Sequence, residues 1–235
     1  MSRKFKLQNK YYGEEYRMYK RVNIEIQEGL TVLVGCNGIG KTTLLHQIKD
    51  QLKKANIPVI SFDNLKEGGS RAISSAGFYG DFAFMGTAMS SSEGENIVMN
   101  ISKLASSLRP FIKTGKSGKN DDVLSKAFAK ALWGDTTEEK EDEVPNERWL
   151  LLDAIDSGLS VDNIVDIKEY LFKTIFEDRE DLKIYIIVSA NEYEMARGEQ
   201  CFDVHNGKYI TFSDYEDYRN FVLKSKDNKN KRYPD

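Results

Sequence analysis

The residues best suited to chemistry are Gly35-Cys36-Asn37-Gly38-Ile39-Gly40-Lys41-Thr42, which fit the spacing G-x-x-x-x-G-K-[ST]. Glycine lets a tight turn bring backbone N–H groups close to an anion, and a side chain at Gly38 or Gly40 is expected to crowd that cradle. Lys41 is placed to reach the β- and γ-phosphates of a nucleotide, and the Thr42 hydroxyl to ligate Mg²⁺. A second requirement is a carboxylate for the metal's water shell. Leu150-Leu151-Leu152-Asp153 offers one, an acid closing an apolar strand, where open α/β sheets place their ligands.

These groups need a strand before the loop and a helix after it. Residues 30–34 form a short apolar run suited to a buried parallel strand, and Leu44, Leu45, Ile48 and Leu52 recur at helical spacing. Upstream, Val22, Ile24 and Ile26 alternate with polar residues, which predicts a half-buried antiparallel strand at the front of the chain. Tyr11, Tyr12, Tyr16 and Tyr19 precede it, each a candidate to stack on a base, although packing explains any one of them better.

Further strands are expected over 57–62, 149–152 and 184–189. A helix carrying Ile97, Ile101, Leu104 and Leu108 should stop at Arg109-Pro110. Residues 113–121 read as a loop, 122–133 as a short helix and the acidic run to Pro145 as a second loop, while the apolar stretch 77–89 resolves into no single period. Ser160 should cap a helix bearing Ile164, Ile167, Leu171 and Ile175. A hairpin on Asn206-Gly207 with a type I′ turn comes next, then a last helix opened by a Ser213–Glu216 capping box. Strands alternating with helices imply an α/β fold with a largely parallel central sheet.

The 235 residues are 40% hydrophobic and 30% charged, with a net charge of −3, as expected of a globular chain and without a global nucleic-acid signature. No apolar run is long enough for a membrane span, and no apolar segment follows the basic start. Two cysteines, one inside the loop, make no disulfide framework, so a reduced, cytoplasmic setting is expected. The basic N-terminus, the acidic run over 138–147 and the basic tail over 224–232 are expected to be solvated, mobile segments.

The segment Asp153-Ala154-Ile155-Asp156-Ser157-Gly158-Leu159-Ser160 resembles the Walker B and D-loop region of ABC-type ATPases, and the loop has the matching form GxNGxGKTT. Ser91-Ser92-Glu93-Gly94-Glu95-Asn96 is similar to the signature sequence of that superfamily, in its chromosome-maintenance and DNA-repair branch. The resemblance implies a P-loop NTPase fold with a mixed central sheet, N-terminal antiparallel strands and a small helical subdomain. The resemblance covers most of 20–215, and the ATP-binding domain it implies is 1–215, with the subdomain and an insertion over about 66–146, while 216–235 form a C-terminal helix and polar tail. It further implies ATP and Mg²⁺ as ligands, with Asn37, Gly38, Ile39, Gly40, Lys41, Thr42 and Thr43 around the phosphates and Thr42 and Asp153 on the metal. Ser92, Gly94 and Glu95 would act in trans, on nucleotide held by a second copy in a head-to-tail homodimer.

Departures from the pattern bear on catalysis. Ala154 stands where the family has its general-base glutamate, Ser189-Ala190-Asn191 stands where a switch histidine is expected, and no glutamine lies between Gln51 and Gln200. Asp63 or Asn64 is a candidate metal or water contact, and Asp156, grouped with Lys41 and Asp153 as catalytic, a candidate to orient the attacking water. The expectation is a Mg·ATP-dependent dimerising switch with slow hydrolysis, in DNA repair, recombination or phage–host defence. The alternative is a catalytically inactive nucleotide sensor that docks a partner protein. A small-molecule kinase would leave Ser92 and Ser157-Gly158-Leu159 without a role.

Overall fold

The computed structural model describes residues 1–12, 16–64, 93–116, 145–177 and 181–233. A six-stranded mixed sheet carries the molecule. Its strands in chain order are β5 (Gly29–Val34), β6 (Val59–Asp63), β7 (Glu147–Asp153), β8 (Lys183–Ser189), β9 (Cys201–Asp203) and β10 (Lys208–Ile210). In space they run β10-β9-β5-β8-β7-β6, parallel except for the antiparallel β9–β10 pair. Two small antiparallel pairs stand at the front, β1 (Ser2–Lys6) with β4 (Asn23–Gln27) and β2 (Tyr11–Tyr12) with β3 (Tyr16–Arg17).

The central strands are apolar without alternation because both faces are covered, and each face has its own core. Val32, Leu150, Leu152, Ile186 and Val188 pack on one side. That side is closed by α2 (Glu93–Thr114) and by a helix that runs as α3 (Val161–Asp166), a π-helical segment (Ile167–Phe172) and α4 (Lys173–Glu177). Leu33, Trp149, Leu151, Tyr185 and Ile187 face the other way, against α1 (Lys41–Lys54) and the β1–β4 pair. There the Trp149 ring stacks on Tyr185 at 4.1 Å, and Phe5 of β1 meets it edge-on at 5.3 Å. The expected inward positions of α1 bury, as do Ile164, Ile167 and Ile175 of the helix after Ser160, whereas Leu171 is only partly buried and the π segment puts Phe172 on the buried face.

Four expectations are corrected. α2 does not stop at Pro110: burial of Phe111 and Ile112 carries it to Thr114, whose hydroxyl donates to Pro110 O at 2.8 Å. Arg148 of β7 also donates to Ile112 O at 3.0 Å, so packing outweighs the lost backbone hydrogen bond. The β9–β10 connection is a four-residue loop, not a two-residue type I′ turn. The Asp203 carboxylate organises it by accepting from the amides of His205 and Asn206, both at 3.1 Å. The last helix, α6 (Tyr215–Asn230), which follows the short α5 (Tyr193–Ala196), is capped one residue later than expected, with Asp214 accepting from the Asp217 amide at 2.9 Å while Asp217 reaches back to the Ser213 amide at 3.2 Å.

Fourth, the basic ends are ordered parts of the fold and not solvated, mobile segments. The N-terminal segment is β1, zipped to β4, with Arg3 paired to Glu147 at 2.9 Å. Tail residues 224–232 belong to α6 and the turn after it, with Ser225 and Arg232 buried. Both segments find partners distant in the chain, and local charge does not reveal that. The expected elements within 65–92 and 117–144 lie outside the described residues.

Candidate functional site

The carboxyl ends of β5, β8 and β7 sit side by side, and the register places Leu33 beside Ser189 and Leu152 beside Val188. Residues 35–40 leave β5 at this edge and lead into α1. Three of them carry a positive φ: Gly35 (+140°), Gly38 (+79°) and Gly40 (+118°). A Cβ on Gly35 would stand 2.9 Å from Ile39 Cγ2, and one on Gly40 would stand 3.0 Å from Met18 Sδ. Gly38 is looser, since the Lys229 stem lies at ordinary contact distance and only its backbone conformation demands glycine. Tyr19, fully buried, donates from Oη to Gly40 O at 3.1 Å and so belongs to the core beneath the loop.

Lys41 opens α1 at the loop's end. Its ammonium is buried and donates to Gly35 O at 2.8 Å, folding the side chain back across the loop. Burial holds its pKa below the usual lysine value, and the nearby charges of Asp156, Cys36 and Asp153 oppose that shift. Asn37, Gly38, Thr42 and Thr43 are exposed around it and Ile39 is buried. Strand, glycine turn and helix thus bring amide donors and an ammonium to one place, a geometry suited to an anion.

Asp153, at the end of β7, is nearly buried and accepts a hydrogen bond from the Ser189 hydroxyl. Ser189 Oγ in turn accepts from the Ala154 amide at 2.7 Å, which fixes Ala154 at φ +51°. Ser189 was not a sequence-level candidate. Its signal was a hydroxyl ending the strand next to the acid, visible only once strand order was known. Asp156 is fully buried, and its Oδ2 accepts from the amides of Asn191 (2.6 Å) and Glu192 (2.8 Å). Burial pushes its pKa up, and those two hydrogen bonds oppose the shift. Asn64 donates from Nδ2 to Ala154 O at 3.1 Å and to Ser157 O at 3.0 Å, tying β6 to the turn after β7.

Two buried oxygens there, Asn64 Oδ1 and Asp156 Oδ1, have no hydrogen-bond partner among the described residues. A buried acceptor without a donor costs about 1–3 kcal/mol, so water or a hydrated cation fits the chemistry of this edge. The structure therefore brings together Lys41, Thr42, Asp153, Asp156 and the loop. Gly94 and Glu95 lie in the first turn of α2, with Glu95 exposed, and Ser92 lies outside the described residues.

No protein-family model matches the chain, and no curated protein matches it. Among solved structures, a nucleotide-free ATP-binding cassette from an ABC transporter is similar at a TM-score of 0.41 and 15% identity, over 96% of this chain and 98% of that one. That likeness is too distant to assign the chain to a family. No helix among the described residues is long and apolar enough to cross a membrane.

Proposed function

We propose that the chain binds Mg·ATP at the loop after β5, hydrolyses it slowly, and uses the bound state as a switch between two copies. The observation that carries this reading is the Lys41 ammonium, buried, disfavoured by desolvation and turned onto Gly35 O within a glycine turn. A triphosphate would give that charge its counter-ion, and the loop amides and the N-terminus of α1 would supply donors to it. Thr42 and Asp153 would hold Mg²⁺, which supplies charge neutralisation on the phosphates. Ser189 would keep the Asp153 carboxylate aimed. Ser92, Gly94 and Glu95 of a second copy would complete the phosphate contacts, and a DNA or protein partner would read the closed dimer.

Slow turnover follows from Ala154, because an absent general base forfeits roughly 10²–10⁴-fold in rate. Asp156 is the candidate to orient water through its unpartnered oxygen. One observation favours the second reading, a nucleotide sensor without catalysis: the other Asp156 oxygen is committed to the Asn191 and Glu192 amides.

Phosphate release by the purified protein, compared with Lys41→Ala and Asp156→Asn, tests the pair of readings. Turnover above background that vanishes in Lys41→Ala supports the slow ATPase, and full activity in Asp156→Asn removes that residue from catalysis. Binding without turnover selects the sensor. Sedimentation that stays monomeric with Mg·ATP contradicts the switch between copies.

A further inference from the structure

α6 lies against the loop and touches it through side chains spaced along one helical face. Ser225 Oγ accepts from the Cys36 amide at 3.1 Å, Lys229 Nζ donates to Asn37 O at 3.1 Å, and Arg232, in the turn after the helix, donates to Ile39 O at 3.2 Å. The second Arg232 donor group reaches Met18 O at 2.8 Å, so one guanidinium ties the loop to the segment that packs under Gly40. Arg232 is only 2% exposed. A buried guanidinium is costly unless hydrogen-bonded, and this one spends donors on the loop.

Peptide geometry gives these contacts a direction. In a planar trans peptide the C=O of one residue and the N–H of the next point opposite ways. Holding Asn37 O and Ile39 O toward α6 therefore turns the amides of Gly38 and Gly40 away from it. The same rule sets the first peptide of the loop. Gly35 O accepts from Lys41, and the Cys36 amide points the other way, to Ser225. Cations on the two carbonyls also polarise their peptides, which strengthens the amides as donors to an anion.

We propose that α6 acts as a clamp in cis that sets the phosphate-receiving shape of the loop, with Ser225 and Arg232 as positioning residues for nucleotide binding. The proposal rests on reading the loop as a phosphate site. Because the same contacts hold helix and loop, nucleotide binding and α6 docking are coupled, each strengthening the other.

The test measures Mg·ATP affinity by titration calorimetry in wild type, Arg232→Gln, Arg232→Lys and Ser225→Ala. Ile175→Val, a core change on α4 remote from these contacts, controls for lost stability. Without nucleotide, the labelling rate of the Cys36 thiol, resolved by peptide mass spectrometry, reports the loop directly. Arg232→Gln is expected to weaken Mg·ATP about tenfold or more, as loss of a charge-assisted bond implies. Arg232→Lys recovers part of that loss, and Ile175→Val leaves affinity unchanged. Cys36 labels faster in Arg232→Gln and Ser225→Ala than in Ile175→Val, and Mg·ATP slows amide exchange over residues 225–232. Wild-type binding with unchanged affinity and unchanged Cys36 labelling in the Arg232 and Ser225 variants overturns the clamp and leaves the phosphate site standing. No Mg·ATP binding by wild type overturns the phosphate site and, with it, the clamp's link to nucleotide. Unchanged Cys36 rates then refute the clamp's hold on the loop as well.

Discussion

Ser189→Ala is the most informative small change in the site. One hydroxyl, 1% exposed, donates to Asp153 Oδ1 and accepts from the Ala154 amide at 2.7 Å. Removing it strips a buried donor and a buried carboxylate of a partner at once. Each loss costs about 1–3 kcal/mol, and because both pass through one atom they do not simply add, so roughly 2–3 kcal/mol is expected. At about 2–4 °C per kcal/mol for a chain of this size, the melting temperature falls by about 5–10 °C. Asp153 also loses the contact that aims it, so the gain in ATP affinity on adding Mg²⁺ shrinks about tenfold. Ser189→Thr, which keeps the hydroxyl, recovers most of both effects. Circular-dichroism melts and ATP titrations with and without Mg²⁺ read the two quantities separately. A melting point within about 1 °C of wild type, together with an unchanged Mg²⁺ dependence, would refute the role given to Ser189.

Other perturbations reach different parts of the account. Gly40→Ala places a methyl 3.0 Å from Met18 Sδ at φ +118°, and chemical denaturation should show a loss of about 1–3 kcal/mol. Burial holds His205 below its usual pKa of 6.5, helped by the nearby charges of Arg232 and Lys20 and opposed by the Met18 carbonyl and Asp203. The unfolded chain therefore binds the extra proton first, and stability falls as pH drops below 6.5 by at most about 1.4 kcal/mol per pH unit. His205→Gln should flatten that acid limb in melts taken across the pH range. Asp156→Ala, which removes the acceptor of the Asn191 and Glu192 amides, should cost more stability than Asp156→Asn, which keeps an oxygen there; equal melts would show that those hydrogen bonds do not hold the turn.

The hydrophobic periodicity of the sequence carried through to the structure. Apolar runs ending in Val34, Asp153 and Ser189 became adjacent strands, and the spacing of Leu44, Leu45, Ile48 and Leu52 became the buried face of α1. Asp153 was legible because an acid at the end of an apolar strand is itself a local signal. The misses at Pro110, at the basic ends and at Ser189 share one cause, partners distant in the chain. The turn at Asn206-Gly207 and the cap of the last helix yielded instead to competing local bonds. Pro110 reads as a stop, yet Phe111, Ile112 and Arg148 hold the helix past it. Asn206-Gly207 reads as a tight turn, yet the Asp203 carboxylate draws two amides into a wider loop. Lys229 and Arg232 read as a solvated basic tail, and nothing near them in the chain indicates the Asn37 and Ile39 carbonyls they bind. Ser189 needed strand order before its neighbour could be known.

The central claim is that the loop around Lys41 receives a triphosphate. Equilibrium titration of the purified chain with Mg·ATP, beside Lys41→Ala shown to be folded by circular dichroism, tests it most directly. Saturable wild-type binding is predicted, with about 2.7 kcal/mol of added stability at a ligand concentration one hundred times the Kd, and both effects should be lost in Lys41→Ala. A wild-type protein that binds no Mg·ATP, or a Lys41→Ala variant that binds it equally well, would contradict the account.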